Sequence, residues 1–290
     1  MTVMTAPPLR VDAHQHFWRY DPAELGWIDG SMTALRRDFL PEDLSPLLAR
    51  GGFDGCVAVQ ARQTLGETEF LLDLADSHSF ILGVVGWVDL QSPDVRQQLA
   101  RFAQRKRLVG IRHVVQGEPD DLFLLRPEFC RGIAALADFD LAYDLLIFPR
   151  HLTVAAEFVA RFPGQRFVLD HLAKPHIRLG EIEDWKRDLR RLAAFPNVFC
   201  KLSGLVTEAD WRRWSAEEMS AYLDVAFEAF GAGRLMIGSD WPVCTLAATY
   251  ERTMDLVKEY VKGRPAAEQS AVLGGNAQQF WKICREEKAQ

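Results

Sequence analysis

Two histidines lie one residue apart in the segment VDAHQH, which spans residues 11–16. On an extended strand, side chains two positions apart point the same way. The imidazoles of His14 and His16 are therefore expected to converge on one point. Converging imidazoles bind divalent metals when another histidine and a carboxylate complete the set. A single histidine is more often a structural residue, but this pair at the end of an apolar run favours a functional role.

Two other apolar runs end in residues of the same chemical types. Asp240 ends the run RLMIGSD, residues 234–240, and His171 ends the run RFVLDH, residues 166–171. A carboxylate at the end of a buried strand must be hydrogen-bonded or used in chemistry. The alternatives are a cap of the following helix at Asp240 and a hydrogen bond to the strand 7 loop at His171. The residues predicted to be catalytic, and to hold a metal if one is bound, are His14, His16, His171 and Asp240.

Further polar and aromatic residues lie near the ends of the other runs or in the first long connection. Such side chains can hold a carbonyl, a carboxylate or the hydroxyl groups of a small molecule. An ion pair is the alternative for Arg112 and Lys201, core packing is the alternative for Trp87, and the opposite strand face is the alternative for His113. The predicted substrate-binding residues are Gln60, Trp87, Arg112, His113, Lys201 and Trp27.

These residues need strands that deliver them to one edge of a sheet. Apolar runs that are almost continuous suit parallel strands covered on both faces. Eight strand–helix units within 290 residues predict the α/β class and a single (β/α)8 TIM-like barrel, with a doubly wound open sheet as the alternative. Sequence parity leaves open whether Asp144 and Asp170 point into this barrel. The eight predicted strands are residues 11–14, 55–60, 81–89, 108–114, 141–147, 166–171, 197–204 and 234–240.

Local signals mark the boundaries of helices and segments. Ser92 is expected to cap one helix, and Ser215 is expected to cap another through a capping box. No stretch rich in Pro, Gly or Ser divides the chain. We therefore expect a flexible leader over residues 1–10 and one barrel domain over residues 11–290. The connection at residues 17–50 is expected to fold over the barrel mouth as an aromatic lid.

Composition and charge exclude several classes of partner. The formal net charge is −6 and no block is rich in Lys and Arg, so nucleic acid is not an expected partner. No apolar run approaches the roughly 18 residues of a membrane span, and residues 1–10 lack the apolar region of a secretion signal. Five widely spaced cysteines without a CxxC motif indicate free thiols in a reducing cytoplasm. A small molecule is the expected partner, and the oligomeric state is left open.

Seven segments together resemble the amidohydrolase superfamily, and more narrowly its amidohydrolase-2 group of sugar-lactone hydrolases. The resemblance covers residues 10–283 and implies an amidohydrolase-type barrel with its site at the strand ends. It maps the HxH motif of the family onto His14 and His16, the strand 6 histidine onto His171 and the strand 8 aspartate onto Asp240. The segments are VDAHQHFW, VAVQAR, ILGVVGWVDL, LVGIRHVVQGEPD, FVLDHLAKP, VFCKLSGLVTEADW and LMIGSDWPVC.

The resemblance also bears on the metal and the reaction. Many metal-dependent members of the superfamily carry a lysine or histidine on strand 5, where this chain has LAYDLLIF. It therefore implies either no required cofactor or one Zn²⁺ at a mononuclear site. The implied activity is hydrolysis of a sugar lactone, with L-fuconolactone or a related L-sugar lactone as the leading substrate. Asp240 would activate water, and the three histidines would polarise the carbonyl directly or through the metal.

Three alternatives to a lactonase remain at this point. A metal-dependent decarboxylase of the same superfamily uses a similar HxH motif and aspartate, but its pattern also needs the strand 5 histidine that this chain lacks. A lactone isomerase would act on the same kind of substrate. A barrel that only binds sugar acids would not need the complete set of His14, His16, His171 and Asp240.

Overall fold

The barrel predicted from the sequence is present. The computed structural model of the protein describes residues 8–283, and eight parallel strands within them form one sheet in the order β1 to β8. Each strand pairs with the next along the chain, and β8 returns beside β1 to leave a nearly closed barrel. The strands are β1 (Val11–Gln15), β2 (Gly55–Val59), β3 (Ile81–Gly86), β4 (Leu108–His113), β5 (Ala142–Leu145), β6 (Phe167–Leu169), β7 (Val198–Leu202) and β8 (Leu235–Ile237).

Helices surround the barrel and bury its outer face in one continuous apolar core. A second apolar cluster fills the barrel interior, where Phe280 and Trp281 of the last helix pack against strand residues and close the floor. The site is left at the opposite end. The helices are α1 (Pro41–Gly51), α2 (Leu65–Ser77), α3 (Val95–Phe102), α4 (Pro127–Leu136), α5 (Leu152–Ala160), α6 (Glu183–Ala193), α7 (Leu205–Glu208), α8 (Ala216–Phe230), α9 (Tyr250–Val261), α10 (Ala266–Ser270) and α11 (Asn276–Trp281).

The barrel answers the question of strand parity. On β5, Tyr143 points outward and packs edge-on against the rings of Phe129 and Phe158, so its neighbour Asp144 points inward. Asp170, directly after β6, also points inward and contacts Arg112. The barrel interior therefore carries carboxylates beneath the site as well as beside it.

Several predicted strands extend too far, and two of them wrongly include a functional candidate. The predicted strand over residues 166–171 ends at Leu169, and the one over 234–240 ends at Ile237. His171 and Asp240 have φ angles of 53° and 55°, which a strand does not accommodate. Both functional candidates therefore lie in turns that follow the strands.

The helix caps gave one confirmed and one wrong prediction. The N–H of Glu218 donates to Oγ of Ser215 at 3.2 Å, which confirms Ser215 as the cap; between these two described residues the structure gives no returning bond from the Glu218 side chain to the Ser215 N–H. Ser92 does not cap a helix, because α3 begins at Val95 with Asp94 as its N-cap residue. Oγ of Ser92 instead accepts from the N–H of Asp94 at 3.1 Å in the preceding turn.

The predicted leader over residues 1–10 is too long at its C-terminal end. Leu9 is buried in the cluster inside the barrel, and its N–H donates to Oε1 of Gln278 at 2.7 Å. Residues 1–7 lie outside the described part of the chain, as does Cys284, whereas the other four cysteines are free thiols. Across residues 8–283, no helix combines the length and apolar character that a bilayer crossing requires.

Candidate active site

Closure of the barrel brings the residues after β8 beside β1. The N–H of Asp240 donates to the carbonyl of His14 at 2.8 Å, and the N–H of His16 donates to the carbonyl of Trp241 at 2.7 Å. Gly238 permits this approach, because a Cβ there would lie 2.9 Å from the Cβ of His14. The backbone alone therefore holds the HxH segment and the aspartate together.

His171 reaches the same point from a left-handed turn after β6. Its Nδ1 lies 2.8 Å from Oγ of Ser203, which follows β7. The next residue, Gly204, has a φ of 68°, and a Cβ there would lie 2.7 Å from the His171 ring. Glycine is required at this position both for its backbone conformation and for the space that the ring occupies.

Four side chains converge on one small volume. Oδ1 of Asp240 lies 3.3 Å from Nε2 of His16 and 3.8 Å from Nε2 of both His14 and His171. The Nε2 atoms of His14 and His16 are 3.2 Å apart. A tetrahedral ion with ligand distances of about 2.1 Å separates its ligands by about 3.4 Å. These separations fit a divalent cation held by His14, His16 and Asp240, and His14 also forms a second group of possible ligands with Asp170 and His171.

The hydrogen bonding of His16 supports the same fit. Nδ1 of His16 donates to the carbonyl of Val59 at 2.7 Å, so in the neutral ring Nε2 carries a lone pair. That lone pair faces the Asp240 carboxylate with no proton between them. A cation placed there replaces a repulsive contact with two attractive ones.

The protonation states of the site suit this chemistry. Burial lowers the pKa of His171 to about 4 and lowers the pKa of His14 well below its usual value. Burial alone would raise the pKa of Asp240, but the neighbouring histidines, His171 most of all, hold it well below its usual range. At neutral pH, Asp240 is therefore ionised beside the neutral imidazoles of His14 and His171, which is the form that binds a metal.

A buried ion network lies behind His14. Asp170 accepts a hydrogen bond from Nη1 of Arg112 at 2.9 Å and lies 2.9 Å from Nζ of Lys201. Lys201 also contacts Asp144 and approaches Nδ1 of His14 at 3.2 Å. Burial raises the pKa of Asp144. Burial acts in the same direction on Asp170, but the interactions with Lys201, His14 and Arg112 outweigh it and hold the Asp170 pKa well below its usual value. β5 thus supplies a carboxylate to this network. The described β5 residues include neither the lysine nor the histidine that many metal-dependent members of the superfamily carry on this strand.

A cavity of about 160 Å³ opens onto the converging side chains. His16, His171 and Asp240 form part of its wall, and Arg112 and Trp27 form other parts. Trp27 belongs to the predicted lid, where it packs edge-on against the buried Trp18 at 5.8 Å between ring centroids. The cavity is therefore lined by ionisable side chains, by the guanidinium of Arg112 and by the ring of Trp27, which is a lining typical of a site for a small polar ligand.

Two of the predicted substrate-binding residues lie beneath this cavity rather than along it. Lys201 is completely buried and its ammonium group is taken up by Asp144 and Asp170. Gln60 is also buried, and its Nε2 donates to the carbonyl of Arg112 at 3.3 Å. The expected direct contact with substrate is therefore corrected: Lys201 balances buried carboxylates, and Gln60 supports the backbone that carries Arg112.

His113 and Trp87 also lie apart from the cavity lining. The His113 ring stacks on Phe123 at 4.8 Å between centroids, and its Nε2 lies 2.7 Å from Oε1 of Glu118. Nε1 of Trp87 lies 3.4 Å from Nδ1 of His113. His113 therefore points to the outer face of β4, which was the alternative to substrate binding for this residue. Side chains alternate along a strand, so Arg112 points inward and its neighbour His113 points outward.

Sequence reasoning did not select three charged residues that the structure places around the site: Asp144, Asp170 and Lys174. Lys174 lines the cavity from the segment LAKP after His171. A signal for the two aspartates was available, because an inward-facing buried lysine at position 201 needs carboxylate partners on neighbouring strands. No comparable signal pointed to Lys174, whose position depends on the shape of the turn.

Comparison with known proteins agrees with the fold and identifies the family. A family model described as amidohydrolase matches residues 11–283. An L-fucono-1,5-lactonase from Burkholderia multivorans is 45% identical over 280 residues, which is 93% of this chain and 94% of the relative. An L-fucono-1,5-lactonase from Burkholderia ambifaria is 41% identical over 282 residues, which is 95% of this chain and 96% of the relative. The chain therefore belongs to the amidohydrolase family.

A solved structure shares the whole architecture. The crystal structure of an amidohydrolase from Burkholderia multivorans with bound zinc superposes with a TM-score of 0.93 at 43% identity, covering 95% of this chain and all of the other. The family and the barrel predicted from sequence are thus confirmed. Within the family, the relatives just named are sugar-lactone hydrolases.

Proposed function

We propose that the protein hydrolyses a sugar lactone, with L-fucono-1,5-lactone as the leading substrate. The observation that carries this proposal is the convergence of His14, His16 and His171 on Asp240, beside a small cavity that His16, His171 and Asp240 line together with Arg112 and Trp27. The two curated relatives named above act as L-fucono-1,5-lactonases and match nearly the full length of the chain.

Asp240 is the proposed general base. Its carboxylate is ionised, lies at the cavity wall and faces the point where a water molecule can approach a bound carbonyl. It accepts a proton from that water as the water oxygen bonds to the carbonyl carbon. The same proton is then delivered to the ring oxygen as the ester C–O bond breaks, which releases the hydroxy acid.

The remaining residues bind and orient. Arg112 directs its guanidinium to the cavity while Asp170 and the carbonyl of Gln60 fix its position at 2.9 Å and 2.5 Å. It can donate to the lactone carbonyl oxygen and stabilise the charge that develops there. Trp27 offers an aromatic face to the sugar ring.

The donor set would also hold one divalent cation, for which Zn²⁺ is the candidate because the related amidohydrolase was solved with bound zinc. When bound, such an ion acts as a Lewis acid toward a carbonyl and lowers the pKa of a coordinated water. Whether turnover needs it is a separate question, and the test below separates the two cases.

The test is proton release from fresh L-fucono-1,5-lactone, followed with a pH indicator for the enzyme as purified and after exhaustive chelation. Release in both samples supports a lactonase that works without a metal. Release that is lost on chelation and restored by Zn²⁺ supports an essential cation. No release from this lactone or from a panel of other sugar lactones would overturn the proposal, and CO2 release from aromatic acids would then point to the decarboxylase alternative.

A further inference from the structure

The chain makes an unusual turn immediately after β6. Four successive non-glycine residues, His171 to Lys174, have φ angles of 53°, 54°, 59° and 53°. The N–H of Lys174 donates to the carbonyl of His171 at 2.7 Å and closes the turn. L-residues rarely adopt this conformation, and consecutive ones are found where the surrounding structure imposes them for function.

The turn delivers two functional groups to one cavity. Its first residue places the His171 imidazole beside Asp240, and its last residue, Lys174, lines the same cavity. A regular strand or right-handed helix would send these side chains in other directions. The turn thus places a side chain in the cavity at each of its two ends, His171 and Lys174, whereas the proposed mechanism uses only His171.

Of the two positively charged side chains in the cavity wall, Arg112 and Lys174, the lysine makes the weaker contacts with protein acceptors. Arg112 already donates to Asp170 at 2.9 Å and to the carbonyl of Gln60 at 2.5 Å. Nζ of Lys174 lies 3.7 Å from Oε1 of Glu208, which is longer than a hydrogen bond, and 6.0 Å from the centroid of the Phe148 ring. Its ammonium group retains donors for a ligand, and Glu208 is its ion-pair partner.

The reaction proposed above changes the charge of the ligand. A lactone is neutral, whereas the aldonate that replaces it is an anion at neutral pH. A cation in the cavity wall therefore interacts more strongly with the product than with the substrate. A carboxylate such as Glu208 beside that cation competes with the product for it.

We infer that Lys174 binds the carboxylate of the aldonate product and that Glu208 weakens this binding, so that the pair sets how readily product leaves. This inference rests on the proposed function for the identity of the ligand. It assigns Lys174 a role in product affinity and release, and it assigns Glu208 the role of a competitor that holds the lysine in place.

The two residues should have opposite effects. For Lys174→Met, the inhibition constant of L-fuconate should rise about 10- to 100-fold, the loss expected for a charge-assisted hydrogen bond. The KM for the neutral lactone should rise much less. For Glu208→Gln, the inhibition constant of L-fuconate should fall by about 2- to 5-fold, since the competing ion pair is lost. Lys174→Gln keeps a hydrogen-bond donor without the charge and should resemble Lys174→Met.

The measurement is calorimetric titration of each variant with sodium L-fuconate, together with initial rates on L-fucono-1,5-lactone. The matched control is the exposed pair of Lys262 and Glu259, whose charged atoms are 3.0 Å apart on α9 and the residue after it. Lys262→Met and Glu259→Gln should leave L-fuconate binding unchanged. Circular dichroism melts establish that each variant is folded.

Equal increases in the KM of the lactone and the inhibition constant of L-fuconate would overturn the inference, because they would indicate a contact with sugar hydroxyls. Unchanged L-fuconate binding in folded Lys174→Met or Lys174→Gln would overturn it as well. Failure of the proposed function is distinguishable, since the titration needs no turnover: a wild-type protein that binds L-fuconate through Lys174 without hydrolysing the lactone would reject the function and keep the anion site.

Discussion

Nε2 of His16 lies 3.3 Å from Oδ1 of Asp240, while Nδ1 of the same ring donates to the carbonyl of Val59. An acceptor nitrogen thus faces an acceptor oxygen inside a buried site. Such a contact is stable only when a proton or a cation lies between the two atoms. The relationship ties the proposed base and the proposed metal site to the same pair of atoms, and it makes the consequences of substitution at Asp240 specific.

Asp240→Asn should abolish most activity without unfolding the protein. The amide Nδ2 can donate to Nε2 of His16 and so satisfy it without a cation, but the amide cannot accept the proton of a water molecule. We expect the rate of L-fucono-1,5-lactone hydrolysis to fall by about 10²- to 10⁴-fold. Zinc affinity, measured by competition with a chromogenic chelator, should fall in parallel while the melting temperature stays within a few degrees. A variant that kept nearly the full rate would reject Asp240 as the base.

Lys201→Met should destabilise the barrel strongly. The substitution leaves Asp144 and Asp170 facing each other in a completely buried network, with Arg112 on Asp170 and no cation on Asp144. We expect a loss of about 3–5 kcal/mol in the free energy of unfolding, measured by urea denaturation. Lys262→Met, in an exposed ion pair, is the matched control and should cost less than about 1 kcal/mol. Equal effects of the two variants would mean that the buried network does not stabilise the fold.

Gly204→Ala and Gly180→Ala separate backbone strain from crowding at the site. Both glycines have positive φ, 68° and 67°, so alanine costs about 1–2 kcal/mol at either position. Only at Gly204 would the new Cβ meet a side chain, the His171 ring at 2.7 Å, whereas nothing lies within 4 Å at Gly180. We expect similar losses in stability from the backbone term, but a fall in kcat of about 100-fold for Gly204→Ala alone, as His171 is displaced.

The outcome is read by pairing chemical denaturation with initial rates for both alanine variants. A Gly180→Ala enzyme as slow as the Gly204→Ala enzyme would show that the rate responds to global stability rather than to the position of His171. Normal kcat in Gly204→Ala would show that the ring position does not matter for turnover.

Trp27→Ala should weaken substrate binding without affecting the fold. The Trp27 side chain lines the cavity and is 42% exposed, so its removal takes away a ligand contact and little buried apolar surface. We expect KM to rise about tenfold with a small change in kcat. Leu122, which is 57% exposed and lies away from the cavity lining, provides the control through Leu122→Ala. A KM equal to that of the wild type would remove Trp27 from the binding surface.

The sequence determined the barrel and the four converging residues. Apolar runs that alternate with helical patterns along the chain predicted eight strand–helix units. The HxH spacing placed His14 and His16 on one side of β1. The terminal aspartate and histidine of two later runs completed the set, because parallel strands of a barrel end at one edge. These conclusions depend on period and order along the chain, which are properties of the sequence itself.

The charged residues around that set were decided only by the tertiary structure. Whether Lys201 contacts substrate or buried carboxylates depends on the inward direction of Asp144 and Asp170, and both directions follow from strand register. The placement of Lys174 depends on a left-handed turn of four residues, a conformation that local preferences disfavour. That turn depends on contacts with segments that are distant in sequence. Because a local pattern carries no information on such contacts, the sequence alone could not predict the turn.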